Sequence, residues 1–259
     1  MIDTHSHLLP GVDHGCPDME TCLEMARAAA ESGVTTVICT PHFYEWDEGL
    51  IERCRRVIVE ARAALAAAGI ELELRLGFEV DMGVAVMVEV DQLRELVFEG
   101  TEGAILLETP YQGWPVYMEE TIYRLALAGL VPVLAHPERN DRVQKDPDRL
   151  VGCLRAGAVA QATAGSLSGM FGRTSERTFQ RLISEGLISL VASDAHAQQP
   201  GNWTLAPALE VFEGWLTAEE VVTLTETNPR GLLAGRAPRP LVTTATTPQP
   251  RGFRLPKRR

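Results

Sequence analysis

All six histidines of the chain fall, with three carboxylates, in positions that suit metal binding: His5-Ser6-His7, His14, His42, Glu79, Glu108, His136 and Asp194-Ala195-His196. In His5-Ser6-His7 and Asp194-Ala195-His196, a spacing of two along an extended segment points both ligand-type side chains the same way. Imidazole and carboxylate without thiolate suit Zn²⁺, Mn²⁺ or Fe rather than a soft-metal cluster. Ions held this way activate water and neutralise phosphoryl oxygens, so the chemistry offered is ester hydrolysis. Competing chemistries lack their motifs. There is no G-x-x-x-x-G-K-[ST] phosphate loop and no G-x-S-x-G elbow, and none of the five cysteines is followed six places later by Arg.

The elements that must position these residues are legible as alternating apolar runs and helical periodicities. Strands are expected at 2–5, 34–40, 71–79, 103–109, 131–136, 158–163 and 187–193. Helices are expected at 18–32, 48–68, 115–128, 147–156, 175–185, 205–215 and 217–227. Gly33, Gly69, Gly129, Gly157 and Gly186 stand where helices stop. Seven strands alternating with helices predict a parallel α/β architecture, either a barrel or a doubly wound sheet. In a barrel the C-terminal strand ends converge on one mouth. The ligand-type residues sit at those ends: His5 and His7, His42, Glu79, Glu108, His136, and Asp194 with His196. Taken singly each has a plainer role. A lone His satisfies a polar contact, Glu79 or Glu108 pairs with Arg75 or Arg94, and Asp194 caps a turn. Their joint placement argues for cations, because charged groups desolvated together repel unless cations lie between them.

A chain of 259 residues is long enough for one sizeable core, and no apolar run reaches membrane-spanning length. No secretory signal opens the chain, and the cysteines are odd in number and scattered, so a reducing cytoplasm and no membrane insertion are expected. The net charge is −11; residues 236–259 hold seven Lys or Arg and no acid, leaving 17 bases against 35 acids, or −18, in residues 1–235. A body that acidic is a poor general binder of phosphate backbones, so no nucleic-acid partner is expected. The division predicts one domain over 1–235 and a Pro-, Thr- and Arg-rich disordered tail over 236–259.

The segments Ile2-Asp-Thr-His-Ser-His-Leu-Leu-Pro-Gly-Val-Asp13, Thr40-Pro-His42, Gly77-Phe-Glu79, Leu106-Leu-Glu108, Ala135-His-Pro-Glu-Arg139, Thr163-Ala-Gly-Ser166, Ser193-Asp-Ala-His196 and Asn228-Pro-Arg-Gly-Leu-Leu-Ala-Gly235 share one pattern. In this order they resemble the polymerase-and-histidinol-phosphatase (PHP) superfamily, and within it the capsule and exopolysaccharide protein-tyrosine phosphatases of the CpsB type. The resemblance spans nearly all of residues 1–235. It implies a distorted seven-stranded (β/α)7 TIM-like barrel holding three divalent metal ions, manganese above all, with iron or zinc also competent. Carried over by position, His5, His7, Glu79 and Asp194 hold the first ion. Glu79 bridges to a second, completed by Glu108 and His136. His42 and His196 hold the third with His14, Asp13 being the alternative ligand.

The resemblance further implies hydrolysis of a phosphomonoester by water activated between the ions that Glu79 bridges. Arg139 matches the family's phosphate-binding arginine, and Asp194 or His196 is placed to protonate the leaving group. The implied substrate is a phosphotyrosine protein, an autophosphorylating bacterial tyrosine kinase with a tyrosine-rich C-terminal tail. Phe43, Tyr44, Trp46 and Tyr111 are candidates for an aromatic floor under the tyrosine ring or for packing lids.

The chain departs from the family pattern twice. It carries Asp13-His14-Gly15 where the capsule enzymes carry Asp-Asp-Gly, and Ala197-Gln-Gln-Pro-Gly201 holds no Arg where they carry a second phosphate-gripping one. Arg142 or Arg173 is then the candidate to reach in. These departures keep open a small-metabolite phosphatase, as for histidinol phosphate; a non-catalytic role that docks a kinase on the metal-braced barrel is a separate alternative. The acidic body argues against a nuclease.

Overall fold

Parallel strands covered on both faces read as nearly continuous apolar runs, and this chain follows that rule. A computed structural model describes residues 1–241. In it Ile2–Ser6 (β1), Ala104–Glu108 (β6) and Val159–Thr163 (β8) are buried at every position. The other strands are Thr36–Cys39 (β2), His42–Phe43 (β3), Glu73–Leu76 (β4), Glu79–Asp81 (β5), Val131–Ala135 (β7) and Leu190–Ala192 (β9). They form two parallel sheets, ordered β1-β2-β4 and β3-β5-β6-β7-β8-β9.

Nine strands in two sheets, rather than seven in one, is a difference from the sequence expectation. The stretches expected at 34–40 and 71–79 are each interrupted, and their continuations are β3 and β5. Pro41 has no N–H to give a ladder, and the chain breaks beside it. The register survives the break: Cys39 faces Leu76 before it and His42 faces Glu79 after it. Amides of Gly77 and Glu79 donate to the carbonyls of Cys39 and Pro41 across the gap. At the other edge β9 meets β1, where Ser6 bridges Ala195 and the Asp194 amide donates to the His5 carbonyl at 2.9 Å.

The helices cover the outside for local reasons. In Met19–Glu31 the buried positions Cys22, Met25, Ala26 and Ala29 recur at helical spacing, and Asp18 accepts a hydrogen bond from the Thr21 amide as N-cap. Asp47 caps Glu48–Ala67 in the same way, with Ile51, Cys54, Ile58, Ala61 and Leu65 buried. The glycines expected to end helices all take positive φ. Among the described residues, no helix is long and apolar enough to cross a membrane. All five cysteines are free and buried.

Two apolar layers result from the period of two along each strand. Val37, Ile105, Leu107, Leu134, Ala160 and Val191 pack toward the helices. Their neighbours Ile38, Ala104, Leu106, Val133, Ala135, Val159 and Leu190 form a second cluster closed by Phe98 and Leu232. Each large side chain buried there contributes roughly 1.5–3 kcal/mol, which offsets the cost of burying polar groups further along the same face. On β6 that face continues from Ala104 and Leu106 to Glu108, and on β8 from Val159 to Gln161 and Thr163. The inner face therefore changes from apolar to ionisable at the C-terminal strand ends.

Of the expected tail, residues 242–259 lie outside the described residues. Leu241 is buried and donates its amide to the Ile188 carbonyl.

Candidate metal centre

Four donor atoms from three distant segments meet at that end. His5 Nε2 lies 3.1 Å from His7 Nε2, and each of these nitrogens lies 3.3 Å from both Glu79 Oε2 and Asp194 Oδ1. Four ligands around one tetrahedral ion at about 2.0–2.1 Å would stand about 3.3 Å apart. Five of the six edges thus have the length that a shared ion requires. All four side chains are buried.

Glu79 is the hub. The register that sets His42 opposite Glu79 brings His42 Nδ1 to 3.0 Å from Glu79 Oε2, while His136 Nε2 approaches the other oxygen, Oε1, at 2.8 Å. The buried atoms His42 Nδ1, Glu79 Oε2 and His136 Nδ1 have no hydrogen-bond partner. Orphaned buried donors and acceptors are costly, and lone pairs converging on a cation account for the first two. Beyond the first group, His42, Glu79 and Glu108, and separately His7, His42 and His196, each present donor atoms within 4.8 Å of one another. His14 stands at the exposed rim, its ring stacked 4.9 Å from that of His42 and tilted against that of His196 at 5.0 Å. All nine residues singled out in the sequence therefore gather at one end of the strands.

The supporting contacts fix which nitrogen faces inward. His7 Nδ1 donates to Asp13 Oδ2 at 2.8 Å, leaving Nε2 for the cluster. Asp13, the alternative third ligand in sequence, thus stands behind His7 and also accepts from the amides of Gly15 and His42. The Gln161 amide lies 3.2 Å from His5 Nδ1 and also bonds Thr4. His136 and Asp194 have φ of 38° and 53°, a left-handed backbone that non-glycine residues seldom adopt. Such strain concentrates at functional positions, and here it falls on two of the converging side chains.

Electrostatics agree with a cation-binding site. Burial opposes charge on His7 and His136, yet neighbouring carboxylates hold both imidazoles above their ordinary range: Asp13, Asp194 and Glu79 for His7, and Glu79 for His136. Burial likewise opposes ionisation of Glu79 and Asp194, and the surrounding imidazoles overcome it and keep both carboxyls low. Protons on the histidines thus occupy the role of cations. Burial and the nearby His7 push His196 down to about 4.

A cavity of about 350 Å³ opens over the cluster, lined by His14, His42, Glu108, Asp194, His196, Tyr44, Tyr111, Arg139, Phe171, Gln198 and Gln199. Arg139 Nη1 donates to Asp194 Oδ2 at 2.7 Å, and its Cζ lies 4.7 Å from the Tyr111 ring centroid and 3.9 Å from that of Phe171. Of the four aromatics singled out, Tyr44 and Tyr111 line the mouth. Phe43 and Trp46 pack edge to face in the core layer instead. Arg142 is half exposed beside Asp141 and does not line the cavity. Sequence reasoning missed Phe171 and Gln161. The second carried a signal, a lone amide at an inward strand position; the first carried only the glycines on either side of its loop.

With this geometry in hand, the comparisons are specific. Residues 1–234 match the family model described as capsular polysaccharide synthesis, CpsB/CapC. The chain is 36% identical over 229 residues to the tyrosine-protein phosphatase YwqE of Bacillus subtilis, covering 87% of this chain and 89% of that one. It is 21% identical over 245 residues to the tyrosine-protein phosphatase CpsB of Streptococcus pneumoniae, covering 90% and 98%. A chain from the crystal structures of YwqE from Bacillus subtilis and CpsB from Streptococcus pneumoniae, described as unique metal-dependent tyrosine phosphatases, superposes with a TM-score of 0.80 at 32% identity. That match covers 94% of this chain and all of that one.

Proposed function

The chain belongs to the CpsB/CapC family of capsular polysaccharide synthesis proteins, and on that premise we propose that it is a metal-dependent protein-tyrosine phosphatase. The observation that carries the reading is the set of four donor atoms of His5, His7, Glu79 and Asp194 at 3.1–3.3 Å, with Arg139 hydrogen-bonded to the other carboxylate oxygen of Asp194. Its relatives are named tyrosine-protein phosphatases, and the structural relative is called metal-dependent.

We assign His5, His7, Glu79 and Asp194 to one ion, Glu79, Glu108 and His136 to a second, and His42, His196 and His14 to a third, with manganese the first choice. The support is that Glu79 directs one oxygen toward His5, His7 and His42 and the other toward His136. When bound, divalent ions lower the pKa of water and neutralise charge on a phosphoryl group. The chain's own residues do the rest. Asp13 and Gln161 hold His7 and His5 in the tautomer and tilt that face the cluster. Arg139, whose planar fork suits phosphate oxygens, stands beside Asp194 to orient the ester. Tyr44 and Tyr111 offer aromatic surface at the mouth for the substrate ring. No protein acid is needed to complete the step, because a tyrosine phenolate has a conjugate acid of pKa about 10 and departs without one.

The same reading takes the nine strands as seven staves, two of them interrupted, of a distorted PHP-type barrel. The unchanged register across Pro41 and the Ser6–Ala195 bridge support it. The catalytic unit is then residues 1–235 with a basic tail at 236–259, and the substrate is a bacterial tyrosine kinase in the cytoplasm, where buried free cysteines stay reduced. The test is turnover of a phosphotyrosine peptide by protein stripped of metal and refilled with Mn²⁺, Fe²⁺ or Zn²⁺. Activity is expected to return with at least one ion; none with any of the three overturns the proposal.

A further inference from the structure

We propose that Phe171 is a positioning residue for phosphate recognition, holding the Arg139 guanidinium in the orientation from which it grips the phosphoryl group. The inference rests on the phosphatase reading of the site and adds to it a residue outside the set of metal donors. Among the described residues that line the cavity, Arg139 is the one Lys or Arg; Gln198 and Gln199 occupy the segment after Asp194-Ala195-His196. The anion grip therefore depends on a single guanidinium. A guanidinium on a four-bond stem loses much of its value if it rotates freely, whereas one held in plane presents its N–H edge in a fixed direction.

Three contacts hold it. Nη1 donates to Asp194 Oδ2 at 2.7 Å, which ties one corner to the cluster. The Phe171 ring covers the group at 3.9 Å from Cζ, closer than the 4.7 Å of Tyr111. Tyr111 is itself stacked on His136 at 5.4 Å with ring planes 11° apart. Aromatic faces attract a guanidinium and exclude water from its faces, while the N–H edge stays free to donate.

The ring is presented by a shaped turn. The Met170 amide donates to the Gly165 carbonyl and the Gly172 amide to the Gly169 carbonyl. Gly169 and Gly172 have φ of 81° and 87°, the left-handed region that favours glycine, so the chain reverses on either side of Phe171. The helix Arg173–Ser184 follows at once and buries Phe179, Leu182 and Ile183, which anchors the turn's far end.

The test measures inorganic phosphate binding to the full chain loaded with Mn²⁺, by calorimetry, with metal content assayed in each variant. Phe171→Ala and Phe171→Leu are expected to weaken phosphate binding about 10-fold, and Phe171→Trp to stay within about 2-fold of the parent, the range of a cation–π contact. In an Arg139→Lys background the effect of Phe171→Ala should shrink to about 2-fold or less, the non-additivity of a residue that acts through another. Unchanged affinity in both Phe171→Ala and Phe171→Leu, full additivity with Arg139→Lys, or a loss explained by lower metal content overturns the assignment. Because phosphate binding needs no turnover, Phe171-dependent binding by a chain inactive on phosphotyrosine would leave this inference standing while the phosphatase reading fell.

Discussion

Asp13 stands directly behind His7, its Oδ2 accepting a hydrogen bond from Nδ1 at 2.8 Å, while the opposite ring nitrogen meets Glu79 and Asp194 at 3.3 Å. The pairing fixes the tautomer and raises the basicity of the nitrogen turned toward the cluster. Nearby, Asp13 accepts from the Gly15 and His42 amides, so one carboxylate ties together three of the segments that supply donors.

Replacing Asp13 by Ala should therefore lower metal affinity by about 10–100-fold, the usual effect of removing a hydrogen-bond partner of a metal-binding His. Asp13→Asn, which keeps an accepting oxygen but no charge, should fall between Ala and the parent. Competition titrations with a chelator read this directly. Equal affinities for all three proteins would show that the hydrogen bond does not tune the site.

Stability should respond to pH differently with and without metal. His7, with its pKa raised above the ordinary imidazole value near 6.5, contributes stability fully present below that value and lost as pH rises through the raised one. Asp13, held at about 2 by His7 against the cost of burial, contributes stability present above its ordinary 3.8 and lost as pH falls toward 2. These two groups together favour the metal-free fold most between about pH 4 and 6.5. Bound ions displace the imidazole protons, so metal binding strengthens as pH rises. The expected result is that the Tm of metal-free protein falls between pH 6 and 9 while the metal-loaded Tm holds. A gap that stays constant or narrows over that range would contradict the proton-for-metal exchange.

Gly15 is required by the close approach of the loop to His7. A Cβ built there would lie 2.1 Å from His7 Cβ and 2.7 Å from its carbonyl oxygen, backbone atoms among the obstacles. Gly15→Ala must displace the loop or the end of β1, at a cost of about 1–3 kcal/mol. For a domain of this size that corresponds to a fall in Tm of roughly 2–12 °C, accompanied by weaker metal binding. Thermal melts and metal titrations that match the parent would remove the steric argument.

Much of the site was legible before any coordinates, because donor type and strand position are local properties. His5 and His7 at the end of one apolar run, Glu108 at the end of another and His136 after a third are found by alternation alone. The same alternation treats Phe43, Tyr44, Trp46 and Tyr111 alike, yet two of them belong to the core and two to the mouth. Which way a loop aromatic turns is settled by what packs against it, and nothing in the local pattern records that. Phe171 is the sharper case, since its partner Arg139 lies 32 positions earlier and the short turn that carries Phe171 gives no periodicity to follow.

The order and chemical kinds of the donors, the acidic body and the parallel α/β alternation were properties of the sequence by itself. Tertiary structure alone decided that Asp13 backs His7 instead of joining the cluster, and that Asp194 comes to lie 3.3 Å from His5. The reason is range. Side-chain type and strand period are written within a few residues, but the distance from Asp194 to His5 depends on β9 meeting β1. That junction is held by contacts such as the Ser193 amide donating to Asp3 across 190 positions of sequence.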